Sequence, residues 1–232
     1  MATSSIETLI EKGEWESAQR AVERQLAKEP DDHWLHARLS GVKYEQGRYQ
    51  EALDAAEKAL EIVPDCPLAL WSYAGALDVV RRTQEAGEVY ARLYTRGIEQ
   101  LRNPDEDADE CWEGADWTRR LVMDCILRIG DALAKIGRLD EAPEWYRLFL
   151  TLLDHEAVQG IHTRDDAIAR LKKLMPGKKP GLEMADRMNR LKEAMALSKS
   201  DAGDLPSRAG DSASGPPPSG YRKRVIVSGE GK

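Results

Sequence analysis

The stretch Gly47-Arg48-Tyr49-Gln50-Glu51-Ala52, continued by Ala56, Ala59-Leu60 and Pro64, decides the fold because its residues recur at a fixed spacing. Residues of the same kind stand thirty-four positions earlier, at Gly13, Trp15, Ala18, Leu26 and Pro30. After an insertion the motif returns as Gly137-Arg138-Leu139-Asp140-Glu141-Ala142. A repeat of this length predicts an array of similar units, none of which buries its apolar face alone.

Each unit is predicted to be a pair of helices joined by a tight turn. Gly13 and Gly47 are expected to end first helices, because glycine adopts the left-handed cap conformation without a Cβ penalty. Pro30 and Pro64 are expected to end second helices. Small residues recur inside the helices and predict close helix packing. They are Ala52, Ala86 and Ala142 on second helices and Gly75 and Gly130 on first helices.

The sequence predicts neither a membrane-spanning helix nor a secretion signal. The chain has 232 residues, of which 41% are hydrophobic and 32% charged, and a formal net charge of −7. It contains no apolar run of the roughly 18–20 residues that a transmembrane helix needs, and its N-terminus lacks the pattern of a secretion signal. The negative charge argues against a nucleic-acid partner. Cys66, Cys111 and Cys125 are too scattered for a disulfide framework, so we expect a cytoplasmic protein with no membrane partner.

The repeated motif resembles the tetratricopeptide repeat. The resemblance lies in Gly-x-Tyr-x-Glu-Ala, a bulky residue four positions later, then Ala-Leu and a closing proline, and residues 31–64 match it best. His36 and Ser40 depart from the pattern, where an aromatic residue and a glycine are usual in the family. The third unit lacks its turn glycine and its closing proline.

The repeat and the resemblance predict an all-α fold, an α-solenoid of about four helix-pair repeats with C-terminal capping helices, and the composition of the last residues predicts a disordered tail. We place the solenoid domain at residues 1–199 and the Pro/Gly/Ser-rich tail, which we expect to be disordered, at 200–232. The repeats are expected at about 1–30, 31–64, 65–98 and 117–154, with an acidic insertion at 102–116 and capping helices at 163–199.

No motif of the sequence predicts catalysis, a cofactor or a metal. The histidines show no metal-ligand spacing with one another or with a cysteine, and His33 and His36 would need further ligands nearby. Asp105, Asp107, Asp109 and Asp116 have a calcium-loop spacing, but Glu110 stands at the position of the obligatory glycine. We therefore expect a protein that is not an enzyme and binds neither cofactor nor metal.

Members of the tetratricopeptide repeat family bind peptides on the concave face, which first helices line. Carried over to this chain, the resemblance implies a peptide-binding groove with an apolar floor and an acidic end. Its residues are Trp34, Ala37, Gly41 and Tyr44 in unit two, Ala69, Ser72, Ala76 and Val79 in unit three, and Asp124, Leu127, Asp131 and Ala134 in unit four. The family's Lys/Asn/Arg clamp for a terminal carboxylate is not expected, because these positions are small, apolar or acidic.

The predicted function is a protein–protein interaction module, an adaptor, scaffold or co-chaperone-like protein whose partner is another protein or a peptide. Two alternatives stay open. The chain is a structural homodimer or assembly subunit whose groove is filled by its own C-terminal helix, or it is a secretion-type chaperone. The acidic insertion is either a binding loop anchored by Trp112 or a solvated loop whose tryptophan packs on neighbouring helices.

Overall fold

The computed structural model describes residues 3–104, 111–155 and 162–174, and these residues form helices that pack in chain order. The helices are α1 (Thr3–Glu11), α2 (Trp15–Leu26), α3 (His33–Glu45), α4 (Tyr49–Ile62), α5 (Pro67–Val79), α6 (Thr83–Arg102), α7 (Ala115–Lys135), α8 (Ala142–His155) and α9 (Arg164–Leu174). Each helix packs on the next one in the chain, from α1 to α9, and α3 also packs on α5. The predicted all-α solenoid of helix pairs is confirmed.

The turn inside each pair has the same hydrogen bond, which explains why glycine recurs there. Gly13, Gly47 and Gly137 take φ values of 70°, 77° and 86°. In each case the next N–H donates to a carbonyl five residues back, at 2.9 Å. The third unit makes the same 2.9 Å bond, from Arg82 N–H to Leu77 C=O, with Arg81 at φ 68° in place of glycine. The turn geometry therefore persists where the glycine has been lost.

Polar side chains fix where two of the helices begin. Asp32 caps α3 by accepting a hydrogen bond from the Leu35 N–H at 3.0 Å. Thr163 and Asp166 cap α9 reciprocally, since the Thr163 hydroxyl accepts from the Asp166 N–H and Asp166 accepts from the Thr163 N–H. Helix α8 starts at Ala142, later than the start near Leu139 that the motif predicts, because Leu139–Glu141 belong to the turn.

Small residues bring the paired helices together as predicted. Ala52, Ala86 and Ala142 are fully buried. In unit two, Ser40 stands where the family has glycine, and its hydroxyl donates to the Ala52 carbonyl at 2.8 Å. This departure is accommodated because the serine hydroxyl is paired inside the contact between α3 and α4.

Two apolar cores run through the array. The first joins α1 and α2 to α3 through Ile6, Val22 and Leu35. The second extends from α3 to α9 and includes Trp71, Leu77, Leu121 and Phe149. Within the three described ranges, every helix is too short or too polar to cross a bilayer.

Several expectations lie outside the described residues. They are the helix expected at about 181–199 and the tail at 200–232. Asp105, Asp107 and Asp109, where the sequence has a calcium-like spacing but no calcium site is expected, also lie outside. Of the predicted capping helices, α9 falls within the described part and lies at the C-terminal side of the fourth pair.

Candidate functional site

Most of the residues predicted to line a concave groove are covered by the protein itself. Buried side chains account for half of the set: Ala37, Ala69, Ser72, Ala76, Asp124 and Leu127. Trp34, Gly41, Tyr44, Asp131 and Ala134 are half-buried, and Val79 is 38% exposed. The first-helix face is therefore a largely filled surface.

A narrow cleft brings three of the predicted residues together. Ala37, Gly41 and Ser72 line it, with Ile10 of the first unit and Trp71 on its walls. Its volume of about 30 Å³ is enough for a water molecule or two but not for a peptide side chain. A partner that used this cleft would have to move α3 and α5 apart.

The predicted acidic end of the groove is neutralised by the last described helix. Asp131 accepts two hydrogen bonds from the Arg170 guanidinium of α9, at 2.6 and 2.9 Å, and one from the Tyr146 hydroxyl at 2.9 Å. Burial and the neighbouring carboxylate raise the pKa of Tyr146, so the phenol stays a donor. Asp131 therefore holds α9 in place and is not an open acceptor for a partner's basic residue.

Asp124 is likewise occupied from within the chain. His162, just before α9, places its Nε2 atom 2.9 Å from Asp124 Oδ1, and both side chains are at most 5% exposed. The two groups approach at ion-pair distance without the alignment of a hydrogen bond. This pair and the Asp131–Arg170 pair both attach the start of the capping region to α7.

A basic side chain of α7 fills the middle of the first-helix face. The Arg128 guanidinium lies 5.8 Å from the centre of the Trp71 ring. Its charge also interacts with Tyr44, Tyr90, Asp124 and Asp131. Burial raises the pKa of Tyr44 to about 12, which keeps this predicted groove residue neutral.

The end of the acidic insertion crosses to the second unit. Glu113 accepts a hydrogen bond from Arg38 of α3 at 3.2 Å, and Arg38 also pairs with Glu7 of α1 at 2.6 Å. Arg38 in turn lies 5.2 Å from the centre of the Trp34 ring. Trp112 packs edge-to-face on Trp117, at 6.1 Å between ring centres. Residues 111–114 therefore contact α3 across the first-helix face, and Trp112 packs on a helix of its own chain.

A group of potential metal ligands lies where this segment meets α3, and the sequence did not predict it. His33 begins α3, Cys66 precedes α5, and Cys111 lies at the end of the insertion. Their ligand atoms all lie within 4.8 Å of one another. The three residues are 33 and 45 positions apart in the sequence, so no spacing motif reveals them.

An open groove lies on the other side of α7, between α6, α7 and α8. It has a volume of about 440 Å³ and includes Ala91, Ala132, Ile136 and Trp145 among its lining residues. Helices α6 and α7 lie close together at Gly87, because a Cβ there would approach the Ala132 Cβ to 3.1 Å. Ile136 is 40% exposed, and Leu139 in the adjoining turn is 47% exposed.

The walls of this groove, which we call the α6–α8 groove, are held by specific contacts. Trp145 packs edge-to-face on Tyr94, with ring centres 5.6 Å apart. Arg138 and Glu141 pair with each other in the turn before α8. Glu88 on the opposite wall is exposed and accepts a hydrogen bond from Gln84 at 3.2 Å. The groove thus combines apolar side chains with polar and charged ones, including an exposed carboxylate, and no feature of the repeat motif predicted it.

Part of the chain matches the model of a known protein family. Two overlapping stretches, residues 6–65 and 42–100, match the family model described as tetratricopeptide repeat. No curated protein matches the sequence of this chain at a significant level.

Solved structures share the fold at low sequence identity. The crystal structure of the MamA protein superposes with a TM-score of 0.55 at 14% identity, covering 88% of this chain and 94% of that chain. The structure described as MamA MSR-1 C2 gives 0.52 at 15% identity, covering 86% of this chain and 96% of that chain. At these identities the likeness concerns the fold alone. Residues 6–100 thus match the tetratricopeptide repeat model in sequence, and the solved structures share the helical fold over most of the chain.

Proposed function

We propose that this chain is a cytoplasmic protein–protein interaction module that acts by binding and not by catalysis. The observation that carries the proposal is the open α6–α8 groove in a fold whose first-helix face is covered by Arg128, residues 111–114 and α9. An open groove that offers both apolar and charged side chains suits the docking of a short amphipathic helix or extended segment.

The groove favours a partner segment that carries aliphatic and basic side chains. Ile136 and Trp145 offer apolar contact area, and the exposed Glu88 lies on the rim. Arg138 is already paired with Glu141, so its charge is compensated. The formal net charge of −7 also attracts a basic partner over longer distances. The proposed occupant is therefore an amphipathic, Lys- or Arg-containing segment of another protein.

The first-helix face remains a second, predicted location for a partner. A ligand there would have to displace the contact of Glu113 with Arg38 or that of Arg170 with Asp131. Among its residues, Val79 has the largest exposed fraction. Binding to the first-helix face requires these contacts to break, whereas binding to the α6–α8 groove does not. Single substitutions distinguish the two surfaces.

Three apolar residues of nearly equal exposure provide a matched set of variants. Ile136 in the α6–α8 groove is 40% exposed, Val79 on the first-helix face 38%, and Ile62 at the end of α4 39%. Replacing each by Asp places one charge on each surface with a similar effect on folding. The full chain and its three variants would be used to capture proteins from a native lysate, and captured contacts mapped by cross-linking and mass spectrometry.

Each outcome assigns the binding surface. The proposal expects the Ile136→Asp variant to lose a captured protein whose cross-links fall on α6 to α8, while Ile62→Asp and Val79→Asp retain it. Loss with Val79→Asp alone would move the partner to the first-helix face and overturn the groove assignment. A dimer in light scattering that Ile136→Asp dissociates would make the groove a self-assembly surface. A further variant lacking residues 200–232 is tested in the same way. If it captures more of the protein, the chain's own tail competes with the partner for the groove.

A further inference from the structure

We propose that His33, Cys66 and Cys111 form a binding site for a thiophilic cation, with Zn²⁺ as the expected ion. The imidazole nitrogen and the two sulfur atoms all lie within 4.8 Å of one another. The residues come from three separate parts of the chain, the start of α3, the residue before α5 and the end of the acidic insertion. Among the described residues, the fold brings these three together as a group of potential metal ligands.

The donor set matches the chemistry of zinc. Thiolate and imidazole are the preferred ligands of Zn²⁺ in proteins, with Zn–S distances of about 2.3 Å and Zn–N distances of about 2.0–2.1 Å. Tetrahedral coordination at those lengths separates neighbouring donor atoms by roughly 3.5–3.8 Å. Cys111 Sγ and His33 Nε2 are already 3.6 Å apart. A contraction of about 1 Å or less in the remaining distances therefore closes the site.

The surroundings favour a neutral complex. Cys66 and Cys111 are at most 1% exposed and belong to the main apolar core, whereas His33 is half-buried. Two thiolates and a neutral imidazole compensate the charge of Zn²⁺, so the loaded site carries no net charge into the core. The thiol protons leave to solvent as the metal binds. Three protein ligands leave a fourth position for water or another donor, and His33 lies on the solvent side.

A metal at this site would fix the end of the insertion against the repeats. Cys111 is two residues from Glu113, which already contacts Arg38 of α3. Coordination would therefore join α3, the entry to α5 and residues 111–113 into one unit. Metal occupancy would then stabilise the segment that covers part of the first-helix face.

Cys125 provides a matched control within the same chain. It is fully buried in α7, and it does not belong to the group formed by the other two cysteines and His33. Burial raises the pKa of the Cys125 thiol well above its ordinary value, so this residue stays protonated. His36 serves as the corresponding control for His33, because it lies on the same helix and its Nε2 bonds the Pro30 carbonyl at 2.8 Å.

The experiment uses the full chain, reduced and freed of metal with a chelator. Co²⁺ is added first, since thiolate coordination produces charge-transfer absorption that oxygen ligands do not give. Zn²⁺ is then titrated in competition with a chromogenic chelator to obtain stoichiometry and affinity. The variants are His33→Gln, Cys66→Ala and Cys111→Ala, with Cys125→Ala and His36→Gln as controls. Circular dichroism records whether each variant is folded.

The wild type and both controls are expected to bind one Zn²⁺ per chain and to melt at a higher temperature with the metal. Each of the three ligand variants is expected to lose affinity by about 100-fold or more, since even an outer-shell change costs about 10–100-fold. Failure of the wild type to bind Co²⁺ and Zn²⁺ would overturn the proposal. So would a folded His33→Gln variant with unchanged affinity. The proposal is also overturned if metal-free protein contains a Cys66–Cys111 disulfide and treatment with a reductant does not restore zinc binding.

Discussion

The ring of Tyr146 lies directly against the backbone of Gly130. A Cβ added to Gly130 would be 2.6 Å from the Tyr146 Cε1 atom, closer than real Cβ contacts allow. The tyrosine is 1% exposed and donates a hydrogen bond from its hydroxyl to Asp131, the residue that follows Gly130 in α7. The glycine therefore makes room for an aromatic residue that both fills the interface and joins the network around Asp131.

Replacing Gly130 by Ala is expected to destabilise the protein by about 1–3 kcal/mol, because the rigid ring has to move out of a packed contact. Urea unfolding monitored by circular dichroism measures the change. Gly41→Ala is the matched control, since a Cβ there meets only the Ser72 hydroxyl, at 3.9 Å. The control is expected to stabilise α3 by about 0.5–1 kcal/mol. Equal effects of the two substitutions would contradict this account of the glycine.

Arg81→Gly is expected to stabilise the third unit. Arg81 is exposed and holds φ 68°, the conformation that glycine takes in the other turns. Relief of the left-handed conformation should gain about 0.5–1 kcal/mol after allowing for the greater freedom of glycine in the unfolded chain. Gly47→Ala makes the reverse change at φ 77° and is expected to lower the melting temperature. A lower melting temperature for Arg81→Gly would contradict this, because the contacts of the Arg81 side chain would then stabilise the fold by more than the left-handed backbone conformation destabilises it.

Arg170→Ala is expected to release α9 from the fourth unit. The substitution removes both hydrogen bonds from the guanidinium to Asp131 and leaves the Tyr146 contact in place. Hydrogen bonds to charged groups contribute about 1.5–3 kcal/mol, which is comparable to the stability of a short terminal helix. Amide exchange in residues 164–174 should accelerate, whereas Lys172→Ala, at an exposed position of the same helix, should leave it unchanged. Unchanged exchange in Arg170→Ala would mean that apolar packing alone holds α9.

The stability of the wild type relative to Glu7→Gln is expected to fall as the pH rises above 4.5, the ordinary pKa of a glutamate carboxyl. Burial raises the pKa of the Glu7 carboxyl above its ordinary value, although Arg38 acts in the opposite direction. The folded protein then retains a proton that the unfolded chain has already lost. The resulting stabilisation is fully present below the unfolded pKa and disappears as the pH passes the folded pKa. Urea unfolding of both proteins at several pH values measures the difference, and a pH-independent difference would contradict the shift.

The local features of the fold could be predicted from residues that act within one unit. Gly47 and Gly137 marked the turns, Asp32 and Thr163 marked helix starts, and Ala52 marked a close contact. The period aligned these features and gave the solenoid. The start of α8 was predicted about three residues too early, because the motif continues through the turn and does not reveal where helical hydrogen bonding begins.

The candidate site depended on contacts between units, which the period does not encode. Arg128 lies over Trp71, Arg170 pairs with Asp131, and Glu113 reaches Arg38, each across a long stretch of sequence. These contacts cover the first-helix face that family resemblance marked as a peptide groove. A resemblance in single repeats carries no information about an insertion or a capping helix that folds back on them.

The sequence by itself determined the repeat, its turns and its small contact positions, because these rest on backbone conformation and on side-chain size within a few residues. Only the tertiary structure decided which faces are covered, where the α6–α8 groove opens, and that His33, Cys66 and Cys111 meet. Those relationships are set by how successive helix pairs rotate and by the path of the insertion. Both result from the packing of many residues at once, and no single spacing along the chain records them.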